Sequence, residues 1–158
     1  MEIIPVFASD DTIRYLRPAS GDSLQIGSAG SQHPNEAVVA ALGKYGIEPT
    51  AVHSTSWRYD RGRLILTYLA VLDGSVNTPA GMTALDVRRA DLARGSATGP
   101  PPSIRVDSVV EHALRHLAWL LRDDPAIKRA LGDRWTALLS TYEPEPFRSL
   151  GQFETASE

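Results

Sequence analysis

The feature that most constrains this chain is the run from Leu24 to Leu72, which reads loop, helix, turn, strand, tight turn, strand. Pro34 stands where a first helical turn accepts proline, and Ala37, Val38, Ala41 and Leu42 follow at spacings that make one buried stripe. Gly46 comes just after the last periodic residue and predicts the helix stop. Two β-rich runs follow, Ala51 to Tyr59 and Leu64 to Leu72, joined by Asp60-Arg61-Gly62-Arg63, a hairpin signal with glycine in its turn. A helix delivered onto a hairpin in this way calls for an α/β fold in which the rest of the chain covers the helix and sheet.

The flanks fill in that plan. Ile3 to Ala8 predicts a strand, with Pro5 suggesting a sheet edge or a strand start, and Thr12 to Leu16 predicts its hairpin partner, Ile13 and Tyr15 facing away from Arg14. Leu24 to Ile26 reads as a short strand, and Leu85 with Val87 as another. Gly95 to Ser103, with Pro100, Pro101 and Pro102 in a row, predicts an extended linker. Beyond it, Val109, Val110, Ala113, Leu114, Leu117, Leu120 and Leu121 mark a helix capped by Asp107 or Ser108. Asp124 then Pro125 starts another, Gly132 ends it, and Asp133 to Tyr142 predicts a last helix with Trp135, Leu138 and Leu139 inward. Phe147 and Leu150 are expected to pin the tail. The 158 residues are expected to form one domain, with sheet and first helix in 1–94, linker in 95–103, C-terminal helices in 104–150 and a tail in 151–158.

Composition sets further bounds. Apolar content of 42% and charged content of 22% suit a globular domain. A net charge of -3 gives no basis for nucleic-acid or anionic-membrane binding, so neither partner is expected. The chain has no cysteine, which excludes disulfides and thiolate chemistry and fits a reducing cytoplasm. Met1 to Ala8 does not read as a signal peptide, and no apolar run approaches the ~20 residues a transmembrane helix needs.

The order of elements from Ile4 to Leu72 resembles the Nudix hydrolase family: a Gly-bearing loop over Leu24 to Gly30, then Gln32-His33-Pro34-Asn35-Glu36-Ala37-Val38-Val39-Ala40-Ala41-Leu42-Gly43-Lys44-Tyr45-Gly46-Ile47, then Glu48-Pro49 and the hairpin. The resemblance implies a mixed sheet with flanking helices, here with an extra helical C-terminal segment, and a ligand cleft beside the box helix. It also implies a cluster of helix carboxylates that holds magnesium or manganese and activates water on a diphosphate. In this chain Gln32 takes the place of the first glutamate, Ala40 and Ala41 that of the Arg-Glu pair, and Lys44 and Tyr45 that of the Glu-Glu pair. Only Glu36 remains nearby, and hard cations need oxygen ligands. The expectation is therefore a Nudix-like domain lacking hydrolase activity, a binder of a small, nucleotide-type ligand or an interaction module without a cofactor. The alternative is a metal-dependent hydrolase of nucleoside diphosphate derivatives with a non-standard metal site. Glu36, His53, Trp57, Arg58 and Tyr68 are the candidate ligand-lining residues: Trp57 could stack on a base and Arg58 clamp a phosphate. As neighbours on a strand, those two face opposite ways unless a bulge intervenes.

Two features lie outside the resemblance. His112 and His116 are four apart on one helical face, the geometry of helical zinc sites, with His33, His53 or Asp123 available as a third ligand; packing beside Trp119 is the structural alternative. Apolar surface on the C-terminal helices, Trp119 and Trp135 included, suggests a homo-oligomer. Ser54, Thr55 and Ser56 beside His53 do not make a serine hydrolase, since one strand cannot arrange a triad.

Overall fold

The computed structural model describes residues 1–27, 30, 32–60, 62–74, 76–92 and 104–145. The strands are β1 (Glu2–Ser9), β2 (Thr12–Pro18), β3 (Leu24–Gln25), β4 (Ala51–Asp60), β5 (Arg63–Leu72) and β6 (Met82–Asp86). The helices are α1 (Pro34–Gly43), α2 (Val106–Asp123) and α3 (Pro125–Leu138). The six strands form one mixed sheet in the order β4-β5-β1-β2-β6, with β3 pairing β1 and with β1 parallel to β5.

Alternation along β1 splits the core in two. Ile4 and Val6 face α2 and α3, where Leu114, Leu117, Leu121 and Trp135 pack against them. Ile3 and Phe7 face α1, where Val38, Ala41 and Leu42 cover them with Tyr68 and Ala70. The predicted helix stripes are the ones buried. β5 is interior and closed from Thr67 to Leu72, whereas Leu64 near its start is 53% exposed.

Three sequence expectations need correction. Pro5 marks neither an edge nor a start: β1 is internal, and Pro5 is buried opposite Ala70. On the other side of β1, ladders are registered at Glu2–Ile3 with β3 and Val6–Ser9 with β2, so Pro5 falls in the gap between them. α2 is not capped by Asp107 or Ser108. It begins at Val106, with Arg105 at the cap, two residues before Asp107, and no side-chain capping bond; Asp107 lies in the first turn, paired with Arg105 and favourable to the helix dipole. The third helical stretch meets the expectation: Asp124 begins it, its carboxylate accepting from the Ala126 and Ile127 amides, and Gly132 (φ 69°, ψ -171°) ends its first half, so α3 is two helices joined at a kink. Trp135 is 1% exposed in its own chain's core, which removes it as oligomer surface. Among the described residues, no helix is long and apolar enough to cross a membrane. The linker and tail expectations, Phe147 and Leu150 included, lie outside the described residues, as do residues 28, 29 and 31 of the loop before α1.

Candidate functional site

A β-bulge decides which candidate residues meet. On β4, Ser54 sits opposite Tyr68 and Ser56 opposite Thr67, so Thr55 is an extra residue. Its side chain is buried, and its hydroxyl donates to the Thr67 carbonyl at 3.4 Å. Simple alternation puts His53, Thr55, Trp57 and Tyr59 on one face; the inserted residue reverses the order beyond Ser54. His53, opposite Leu69, and Arg58, opposite Ile65, therefore face α2 and α3, while Trp57, opposite Leu66, and Tyr59, opposite Leu64, face the α1 side. Tyr68 lies on the α1 side too, buried at 5% exposure in the core. Glu36 is exposed in the first turn of α1. The five residues expected to line one cleft are thus divided between two faces of the sheet, although Trp57 and Arg58 do point opposite ways, as adjacent strand residues must.

On the α1 side, Trp57 is 44% exposed and Tyr59 62%, and their rings meet edge to face with centroids 6.2 Å apart. Leu64 beside them and Val39 on the outer face of α1 are also exposed. This is a small aromatic platform open to solvent, the type of surface on which a planar ring stacks.

On the opposite face, Arg58 is held rather than free. Its guanidinium grips the Glu2 carboxylate with two nitrogens, one of them 2.8 Å from Oε1. Thr67 donates to Glu2 Oε2 at 3.1 Å and Ser23 to Oε1 at 2.7 Å. Burial pushes the Glu2 carboxyl up, but these donors and the Arg58 charge outweigh it and hold the group below the usual carboxylate range. A guanidinium so committed is not available to clamp a phosphate.

His53 meets His116. Their Nε2 atoms are 3.0 Å apart, and the His116 ring also packs against Trp119 with centroids 5.4 Å apart. His116 is 2% exposed and its pKa is pushed down to about 4, first by burial, then by the charges that His53 and His112 would carry; the Glu145 backbone opposes the shift. Burial also lowers the pKa of His53, with Asp124 opposing. The structure thus turns His116 toward His53, while His112 is half-buried and felt at His116 through its charge. Among the described residues, no group of three or more His, Asp or Glu side chains could hold a metal ion.

Sequence reasoning missed two polar centres. One is Glu2 with Arg58, Thr67 and Ser23. The other is Glu111, fully buried on α2, which accepts from Arg89 at 2.9 and 3.0 Å and from Arg115 at 2.9 Å. Burial raises the Glu111 pKa, and the two guanidiniums more than reverse this. Arg89 also lies over the Tyr142 ring, its guanidinium carbon 4.0 Å from the centroid. The Glu111/Arg115 spacing of four was a readable signal, but Glu2 and Arg89 act over long sequence separations that no local pattern reveals. No family model matches this chain, and no curated protein matches it.

Proposed function

We propose that the chain is a Nudix-like domain without the family's hydrolysis, which binds a small ligand bearing a planar ring, of nucleotide type, on the α1 side of its sheet. The observation that carries this reading is the exposed Trp57–Tyr59 pair. Large aromatic surface left open on a sheet face is a natural stacking partner, and one stacked base contributes about 1–3 kcal/mol. That is too little for tight binding alone, so polar contacts must add to it. The mixed sheet and the helix-then-hairpin order agree with the resemblance. The side chains at the box positions argue for the loss of hydrolysis: Gln32, Ala40, Ala41, Lys44 and Tyr45 offer no carboxylate.

The test is a titration with adenosine diphosphate and ADP-ribose, followed by intrinsic fluorescence. Trp135 is buried and Trp119 half-buried, so a stacking ligand should quench mainly Trp57. Saturable quenching that disappears in Trp57→Phe supports the reading. Absence of saturation, or equal binding by Trp57→Phe in calorimetry, overturns it.

A further inference from the structure

A cavity lies on the side of the sheet opposite the aromatic platform, among the C-terminal helices. It measures about 340 Å³, within the range of small-molecule sites, and stands between the end of α2 and the kinked α3. The break at Gly132 lets side chains from both halves of α3, Lys128 before it and Thr136 after it, line the same cleft. The floor is apolar, with Leu121 5% and Leu139 3% exposed. The rim is cationic. Arg122, from the last turn of α2, and Lys128 flank the cleft, with the hydroxyls of Thr136 and Ser140 beside them.

Charge distinguishes this cleft from an ordinary surface groove. The chain carries a net charge of -3, yet among the described residues no Asp or Glu lines the cavity. Among the described residues, the remaining arginines of α2 and its N-cap are each paired: Arg115 with Glu111 and Glu143, and Arg105 with Asp107. Arg122 and Lys128 have no ion pair among the described residues. Two unneutralised cations over an apolar floor, with the Ser140 hydroxyl beside them and the Thr136 hydroxyl donated to the Gly132 carbonyl, complement one ligand chemistry: an anionic head on an apolar body.

We propose that this cleft binds a small amphipathic carboxylate, its head held by Arg122 and Lys128 and its aliphatic body laid against Leu121 and Leu139. Arginine offers the head a bidentate fork and lysine a point charge. A bare inorganic anion would leave the apolar floor wet, and a neutral chain would leave the cations unused.

The full chain should be titrated with 8-anilino-1-naphthalenesulfonate, a fluorescent amphipathic anion, at a pH where the protein melts cooperatively. Decanoate, decanol, decylamine and inorganic phosphate then serve as competitors at matched concentration. The proposal expects one saturable site, displacement by decanoate, and little displacement by the other three. Arg122→Gln and Lys128→Gln, both exposed positions, should each weaken decanoate binding about tenfold, the loss expected for a charge-assisted hydrogen bond. Displacement by decanol as effective as by decanoate would reduce the site to an apolar groove and overturn the proposal. Displacement by phosphate alone, absence of a saturable site, or full affinity in both variants would overturn it as well. The comparison of decanoate with decylamine decides the matter even if a variant proves unstable. All of these readouts are independent of Trp57 and the α1-side platform.

Discussion

His53 on β4 and His116 on α2 aim their Nε2 atoms at each other across 3.0 Å. The ring planes are 19° from parallel and the centroids 5.0 Å apart, farther than the nitrogens, so the rings meet edge first, as an N–H···N hydrogen bond requires. A neutral imidazole carries one donor and one acceptor nitrogen, so the two rings must adopt opposite tautomers, with one proton between them. The pair ties the bulged edge strand to the longest helix with its imidazoles neutral, and it breaks if both rings become charged.

The pH dependence follows from the direction of the His116 shift. Its folded pKa of about 4 lies below the ordinary value of 6.5, so the unfolded chain binds the proton first. The stabilisation is complete above the unfolded value and is lost as pH falls from 6.5 toward 4. Urea unfolding at pH 7.5 and pH 5 should show about 2 kcal/mol lost to this group. In His116→Gln that pH-dependent part should vanish. An unchanged difference between the two pH values in the variant would remove His116 as its source.

Arg58 and Glu2 should behave as a buried pair that is costly to break and cheap to replace. Arg58→Met leaves the Glu2 carboxylate uncompensated at 3% exposure and should destabilise the fold by about 3–5 kcal/mol. Glu2→Gln combined with Arg58→Met should recover much of that loss. Because the Glu2 pKa is lowered in the fold, its contribution is present above the ordinary carboxylate value of 4.5 and is lost as pH falls below it. Denaturant midpoints for the two single variants and the double variant, measured at pH 7, test the coupling.

Glu111 ties together parts of the chain that are distant in sequence. It holds Arg89, which donates to the Thr141 carbonyl, and Arg115, whose own carbonyl accepts from the Glu145 amide. Glu111→Gln should loosen both segments together. Hydrogen exchange should quicken at the Glu145 amide and at the Ala90 amide, which lies 3.5 Å from Glu111 Oε2, while the amides of β1 and β5 keep their protection. Unchanged exchange at both sites would make the cluster energetically minor.

Gly132 breaks α3 with a positive φ, and a methyl group placed there meets nothing within 4 Å. The cost of Gly132→Ala is therefore conformational and should be about 1 kcal/mol, read as a lower Tm. A rise in Tm would mean that α3 can straighten through this point.

Periodicity was a good guide wherever one residue class decided the outcome. The α1 and α2 stripes, the Asp124-Pro125 helix start and the β4-β5 turn are local, and each appears as expected in the fold. What escaped was non-local. Pro5 reads as an edge residue until the gap between the β2 and β3 ladders is known. The inserted Thr55 changes no composition and leaves only a weak sign, three consecutive hydroxyl residues, yet it exchanges the faces of Trp57 and Arg58. The five candidate residues come from the resemblance to a family with a cleft beside its box helix, and alternation already sets Trp57 and Arg58 on opposite faces; what the sequence hides is which face each one takes.

The measurement that bears most directly on the central proposal is a paired assay of binding and turnover on one sample. ADP-ribose and nucleoside diphosphates would be offered with magnesium and then with manganese, with ligand uptake followed by calorimetry and product release by phosphate and nucleotide analysis. The account predicts saturable uptake that depends on Trp57, with the ligand recovered intact. Steady turnover that is abolished by Glu36→Gln would contradict it.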